Sequence, residues 1–158
     1  MKVRLPGKPE FSLTKSDFVA QGGEGSIYVK NGLAFKVYEN PKKMIPVSKM
    51  QELRQINIPE VINPLEILHN HKSNPVGYSM KYVKDTYTLC QLFTKSFKTR
   101  SNVTSPMIVD LIQSMRQTIR GIHSNKILIV DLNEFNLLVD SNFQKVYFID
   151  VDSYQAPN

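Results

Sequence analysis

Ser26-Ile27-Tyr28-Val29-Lys30-Asn31-Gly32-Leu33-Ala34-Phe35-Lys36-Val37-Tyr38 is the stretch that decides how the first half of this chain folds. Strand-like runs with apolar alternation flank Asn31-Gly32, a dipeptide suited to a type I′ turn because both central residues need positive φ. Upstream, residues 16–20 read as a further strand, joined through Gly22-Gly23-Glu24-Gly25. Downstream, residues 46–56 carry Val47, Met50, Leu53 and Arg54 at helical spacing, with Glu52 on a neighbouring face and Pro59 closing the segment. Two more strand-like runs, residues 65–68 and 76–83, flank a polar turn at 69–75. Residues 1–83 are therefore expected to form a lobe of five antiparallel strands and one helix.

The second half, residues 84–158, opens with a weak helical pattern at 88–97 and a strong one at 106–123. Ser105 can cap the latter, Pro106 suits its first turn, and Ile108, Leu111, Ile112, Met115, Ile119 and Ile122 form one stripe. Residues 127–130 then read as an apolar strand, followed by Asp131-Leu132-Asn133-Glu134-Phe135-Asn136 and a hairpin, 137–139 and 145–149, that ends at Asp150-Val151-Asp152. Asp131, Asn136 and Asp150 thus interrupt apolar segments. Burying an unpaired carboxylate costs several kcal/mol, so Asp150 needs a donor or a cation, and a bound metal would be one.

A chain of 158 residues, 41% of them hydrophobic, can fill one compact domain or two small lobes. No apolar run approaches the roughly 20 residues that span a bilayer, and the first residues lack the apolar core of a signal peptide. The single Cys90 excludes an intramolecular disulfide and a cysteine-based zinc site, and reads as a small core residue. A cytoplasmic protein with no membrane partner is expected. The net charge of +6 suits an anionic partner such as a nucleotide, a nucleic acid or an acidic protein. Arg116, Arg120, His123 and Lys126, with Lys95, Lys98 and Arg100, read as a solvated basic face, and nucleic-acid binding rests on that charge alone.

In order, these parts resemble the protein kinase-like superfamily from about Phe18 to Tyr154. The stretch from Ala20 through Gly22, Gly23 and Gly25 to Ile27 looks like a glycine-rich phosphate loop, with Ala20 in place of its first glycine. Lys36 stands at the lysine that pairs with the α- and β-phosphates, and Glu52 at its acidic partner. Asp131 corresponds to the base that accepts the acceptor's hydroxyl proton, Asn136 to a metal ligand, and Asp150 to the magnesium-binding aspartate. Lys81 and Val83 would offer backbone hydrogen bonds to adenine. The resemblance implies an α+β, protein kinase-like fold, a five-stranded first lobe with one helix and a partial, mostly helical second lobe ending after the metal-binding hairpin. It implies ATP and Mg2+ as cofactors, and transfer of the γ-phosphoryl to a hydroxyl acceptor, a protein Ser or Thr or the chain itself.

Several positions depart from the pattern. Ile129-Val130 replace His-Arg, so control by a phosphorylated activation loop is not expected; Asn133 replaces a lysine that steadies the transferred group; Val151-Asp152 replace Phe-Gly. The sequence reaches Asn158 without an activation segment or the helices that dock protein substrates, as a shortened chain or a minimal core would. Apolar surface on 106–123 would then suit a second copy of the chain. A nucleotide-binding pseudokinase that transfers nothing is the alternative function.

Overall fold

The computed structural model describes residues 1–157. They form two compact units, one of residues 1–54 and 64–82, the other of residues 55–63 and the chain from Val83 onward. In the first unit β1 (Lys2–Arg4), β2 (Phe11–Ser12), β3 (Phe18–Gln21), β4 (Gly25–Lys30), β5 (Leu33–Tyr38), β6 (Pro64–Asn70) and β7 (Pro75–Lys81) build one antiparallel sheet in the order β2-β1-β6-β7-β5-β4-β3. Asn31 and Gly32 take φ values of 51° and 79° between β4 and β5, as the type I′ turn requires.

β2 and β3 are the two edges of this sheet, yet only residues 13–17 separate them, and Lys15–Asp17 of that link is a 3-10 turn. Laid flat, seven strands would hold their edges about 29 Å apart, at ~4.8 Å per spacing. Six fully extended Cα steps reach only about 21 Å. The sheet therefore curls into a half-barrel. Backbone and side-chain bonds fasten the seam: Leu13 N donates to Met1 O at 2.9 Å, and Lys30 Nζ, from the end of β4, donates to Ser12 O at 2.7 Å.

Alternation along β5 divides the two faces. Leu33, Phe35 and Val37 join Val3, Leu5, Leu13, Leu68 and Val76 in a core on the concave side, where Leu13 enters from the link. Ala34, Lys36 and Tyr38 take the other face, where Tyr38 and Tyr78 pack with Met50 of α1 (Val47–Leu53).

The second unit contains β8 (Thr86–Thr88), α2 (Leu89–Leu92), α3 (Lys95–Arg100), α4 (Ser105–Ser124), β9 (Leu137–Asp140) and β10 (Val146–Phe148), with a three-stranded sheet in the order β10-β9-β8. Thr104, not Ser105, caps α4: its hydroxyl accepts from Met107 N at 3.4 Å. Leu111, Thr118 and Ile122 are buried along α4, while Ile112, a 100° step from Leu111, is 57% exposed. Tyr87, Phe97 and Phe143 pack their rings together beside the sheet. Among the described residues no helix is long and apolar enough to cross a membrane.

This architecture overturns the expected α+β, kinase-like fold of five strands and one helix followed by a mostly helical part. The described chain is a curled seven-stranded sheet plus a three-stranded one, 29% helical and 31% strand. β1 and β2 are three and two residues long, too short to show a period, and Pro6, Gly7 and Pro9 between them read as loop. Thr86-Tyr87-Thr88, two β-branched residues around an aromatic, forms a strand that was not expected, just before the helical segment, which divides into α2 and α3. Residues 127–130, expected as a strand, contribute only a bridge between Leu128 and Gln155.

If the link and the first strands are integral to the sheet, Leu13→Ala should lower unfolding free energy by about 2–5 kcal/mol, as for a well-packed core leucine. Urea denaturation measures this, and a loss below about 0.5 kcal/mol would mark the segment as an appendage.

Candidate functional site

Residues directly opposed in an antiparallel pair share a face. Ala20 pairs with Ile27, Ile27 with Lys36, and Lys36 with Tyr78. Three of the residues expected at a nucleotide thus lie in one row, on the face that carries α1. Lys36 is 6% exposed, and its ammonium stands 5.2 Å from the centre of the Tyr38 ring, a cation–π contact. Glu24 of the glycine-rich turn lies at ion-pair distance from Lys36, at 3.9 Å. Glu24 is well exposed, so solvent weakens that attraction. Glu52 does not take the expected role of partner. α1 turns Met50 and Leu53 inward, a single 100° step sets Glu52 off that stripe, and among the described residues it forms no ion pair.

Gly22 N donates to Gly25 O at 2.8 Å, closing the turn between β3 and β4. Packing accounts for Gly25, because a Cβ there would collide with the Val37 carbonyl. Gly22 and Gly23 are different. A Cβ on Gly23 would meet nothing within 4 Å, one on Gly22 only Gly25 O at 3.8 Å, and neither residue has a left-handed φ. Neither packing nor conformation requires glycine at these two positions, and they leave bare backbone open to an approaching ligand. Lys81 ends β7 opposite Leu33 and is exposed; Val83 belongs to the second unit and is half-buried.

In the second unit the loop from Asp131 to Asn136 is tied to itself. Asn133 Nδ2 donates to Asp131 Oδ1 at 2.9 Å, and Asn136 Nδ2 donates to Asp131 Oδ2 at 3.3 Å and to its backbone O at 3.1 Å. Phe135 N in turn donates to Asn133 Oδ1 at 2.9 Å. These bonds engage the donating nitrogen of the Asn136 amide, and Oδ1 is its accepting end. The register of β9 and β10 pairs Leu137 with Phe148, and Ile149 N donates to Asn136 O at 3.0 Å, so Asp150 follows directly beyond the Asn136–Ile149 pair.

Asp150 has φ 59° and ψ 38°, a left-handed conformation that costs a non-glycine residue about 1–2 kcal/mol. Ser153 holds it there, its N–H and hydroxyl both donating to Asp150 O at 3.2 and 2.9 Å. Among the described residues no group of three or more His, Cys, Asp or Glu side chains is arranged to hold a metal. Asn136 and Asp150 together offer amide and carboxylate oxygens, the hard donors magnesium takes, with water and phosphate oxygens completing such a shell.

No protein-family model matches the chain, and no curated protein matches its sequence.

Tyr154 is a residue that sequence reasoning missed, since no periodic pattern marks it. It is 2% exposed, and burial, reinforced by the negative charge of Asp150, raises its hydroxyl pKa well above the ordinary tyrosine range. Folded Tyr154 therefore keeps its proton where the unfolded chain loses it, and stability falls as pH rises past about 10. Tyr154→Phe removes this component. The urea midpoint of wild type should drop relative to Tyr154→Phe between pH 8.5 and 11, and a constant difference would contradict the assignment. The glycine turn gives a second check: Gly25→Ala should destabilise the fold by at least 1 kcal/mol through backbone collision, whereas Gly23→Ala should stay within about 0.5 kcal/mol.

Proposed function

We propose that this chain binds magnesium–ATP and transfers the γ-phosphoryl group to a hydroxyl acceptor, a protein Ser or Thr or the chain itself, in the cytoplasm. The observation that carries the reading is the anchoring of the Asn136 amide on Asp131, five residues away, which leaves Asn136 Oδ1 as a metal donor beside Asp150. The order of motifs shared with protein kinases supports it, as do the unobstructed backbone of Gly22 and Gly23 and the buried ammonium of Lys36. In the first unit Lys36 and the turn amides are the groups suited to phosphate oxygens; in the second, Asn136 and Asp150 would hold the metal and Asp131 would accept the acceptor's hydroxyl proton. Bound magnesium supplies neutralisation of phosphate charge.

A second reading, nucleotide binding without transfer, is favoured by the hydrogen bond from Asn133 to Asp131 Oδ1 at 2.9 Å. A neutral amide occupies an oxygen of the proposed base at a position where the kinase pattern has a cation. It draws on the same ligand and metal, and differs only in the final step.

Thermal unfolding tests binding, and labelled ATP tests transfer. ATP with magnesium at about 100 times Kd should stabilise the protein by about 2.7 kcal/mol, a rise in Tm of roughly 5–10 °C. The rise should vanish without magnesium and in Asp150→Ala. Asp131→Asn should keep the rise and lose phosphoryl transfer by at least 100-fold. Wild type that binds but labels neither itself nor a generic protein acceptor supports the second reading; no rise in any condition rejects both.

A further inference from the structure

We propose a second ligand site, separate from the nucleotide residues, at the seam of the half-barrel, which takes a small organic anion with an apolar body. A cleft of about 600 Å³ opens where the two sheet edges approach, lined by Met1, Lys2, Leu13, Lys15, Phe18 and Tyr28 with the hydroxyls of Ser12 and Thr14. Its volume is that of a small-molecule site, and the mouth of a curled sheet is a common place for one.

The charge is one-sided. The lining brings two lysines, Lys2 and Lys15, and no carboxylate. Lys2 is only loosely neutralised by Glu10, 3.5 Å away and exposed. Among the described residues Lys15 has no ion pair. The nearby Asp17 is already engaged by Lys30 at 3.3 Å and by the N–H and hydroxyl of Thr14 at 2.8 and 2.9 Å. An anion would therefore meet uncompensated positive charge.

The apolar component comes from two rings. Phe18 and Tyr28 meet edge to face at 5.8 Å, and Phe18 is 44% exposed although it sits on the sheet's outer strand. Leu13 lines the cleft and belongs to the concave core, which connects the apolar interior to the cleft. Exposed aromatic surface beside the Lys15 ammonium matches a ligand with a ring and a carboxylate, sulfonate or phosphate.

8-Anilinonaphthalene-1-sulfonate has this chemistry and serves as the probe. One probe per chain should bind saturably, with emission enhanced, and affinity should fall at least fivefold in Lys15→Glu and in Phe18→Ser. Both side chains are exposed, and far-UV circular dichroism with a urea midpoint checks that each variant keeps the fold. Saturating magnesium–ATP should leave probe affinity unchanged, which separates this site from the nucleotide residues. Absence of saturable binding, or binding that both variants leave intact, would overturn the proposal.

Discussion

The first unit depends on one short tether. Residues 13–17 must join the opposite edges of a seven-stranded sheet, and no flat sheet of that width can be closed by so few residues. The resulting curl creates an inside and an outside. Val3, Leu5, Leu13, Phe35, Leu68 and Val76 fill the inside, so the alternate residues of β5 are committed to the other face. Lys36 is buried there with Tyr38 and Tyr78 as neighbours because its sequence neighbours Phe35 and Val37 are needed within. The same closure leaves a seam, and the seam is the cationic cleft.

A second constraint governs the other unit. Pairing of Leu137 with Phe148 continues as a bond from Ile149 N to Asn136 O, and this register brings residues fourteen positions apart in sequence, Asn136 and Asp150, to one end of the hairpin. Asp131 is then fixed by the amides of Asn133 and Asn136. Asp150 is kept in a left-handed conformation that an ordinary strand end would relax. Strain of this kind persists where surrounding bonds over-determine it, as the two bonds from Ser153 do here.

Sequence made the strands around Asn31-Gly32 legible because their turn chemistry and alternation agree, and β5 runs over the residues that pattern implied. It failed where elements are too short for a period, as in β1 and β2, and where a tertiary tether sets the architecture, as in the curl. The pairing of Lys36 with Glu52 failed for a different reason. Residue type and spacing can put a carboxylate on a helix, but which way α1 rolls is decided by the burial of Met50 and Leu53. The Asp131 and Asn136 spacing was visible in the sequence, whereas the bonds between them, the intrusion of Asn133 and the burial of Tyr154 required the folded chain.

Asn136 and Asp150 are proposed to hold a divalent metal when nucleotide is present. Electron paramagnetic resonance of Mn2+, used in place of magnesium, tests it directly, because the sharp signal of the free ion is lost on binding. Ternary binding should make the signal from a fixed mixture of Mn2+ and ATP fall further when wild-type protein is added, and Asn136→Ala and Asp150→Ala should each abolish that additional fall. A signal that the protein leaves unchanged, or one that both variants lower as wild type does, would contradict the account.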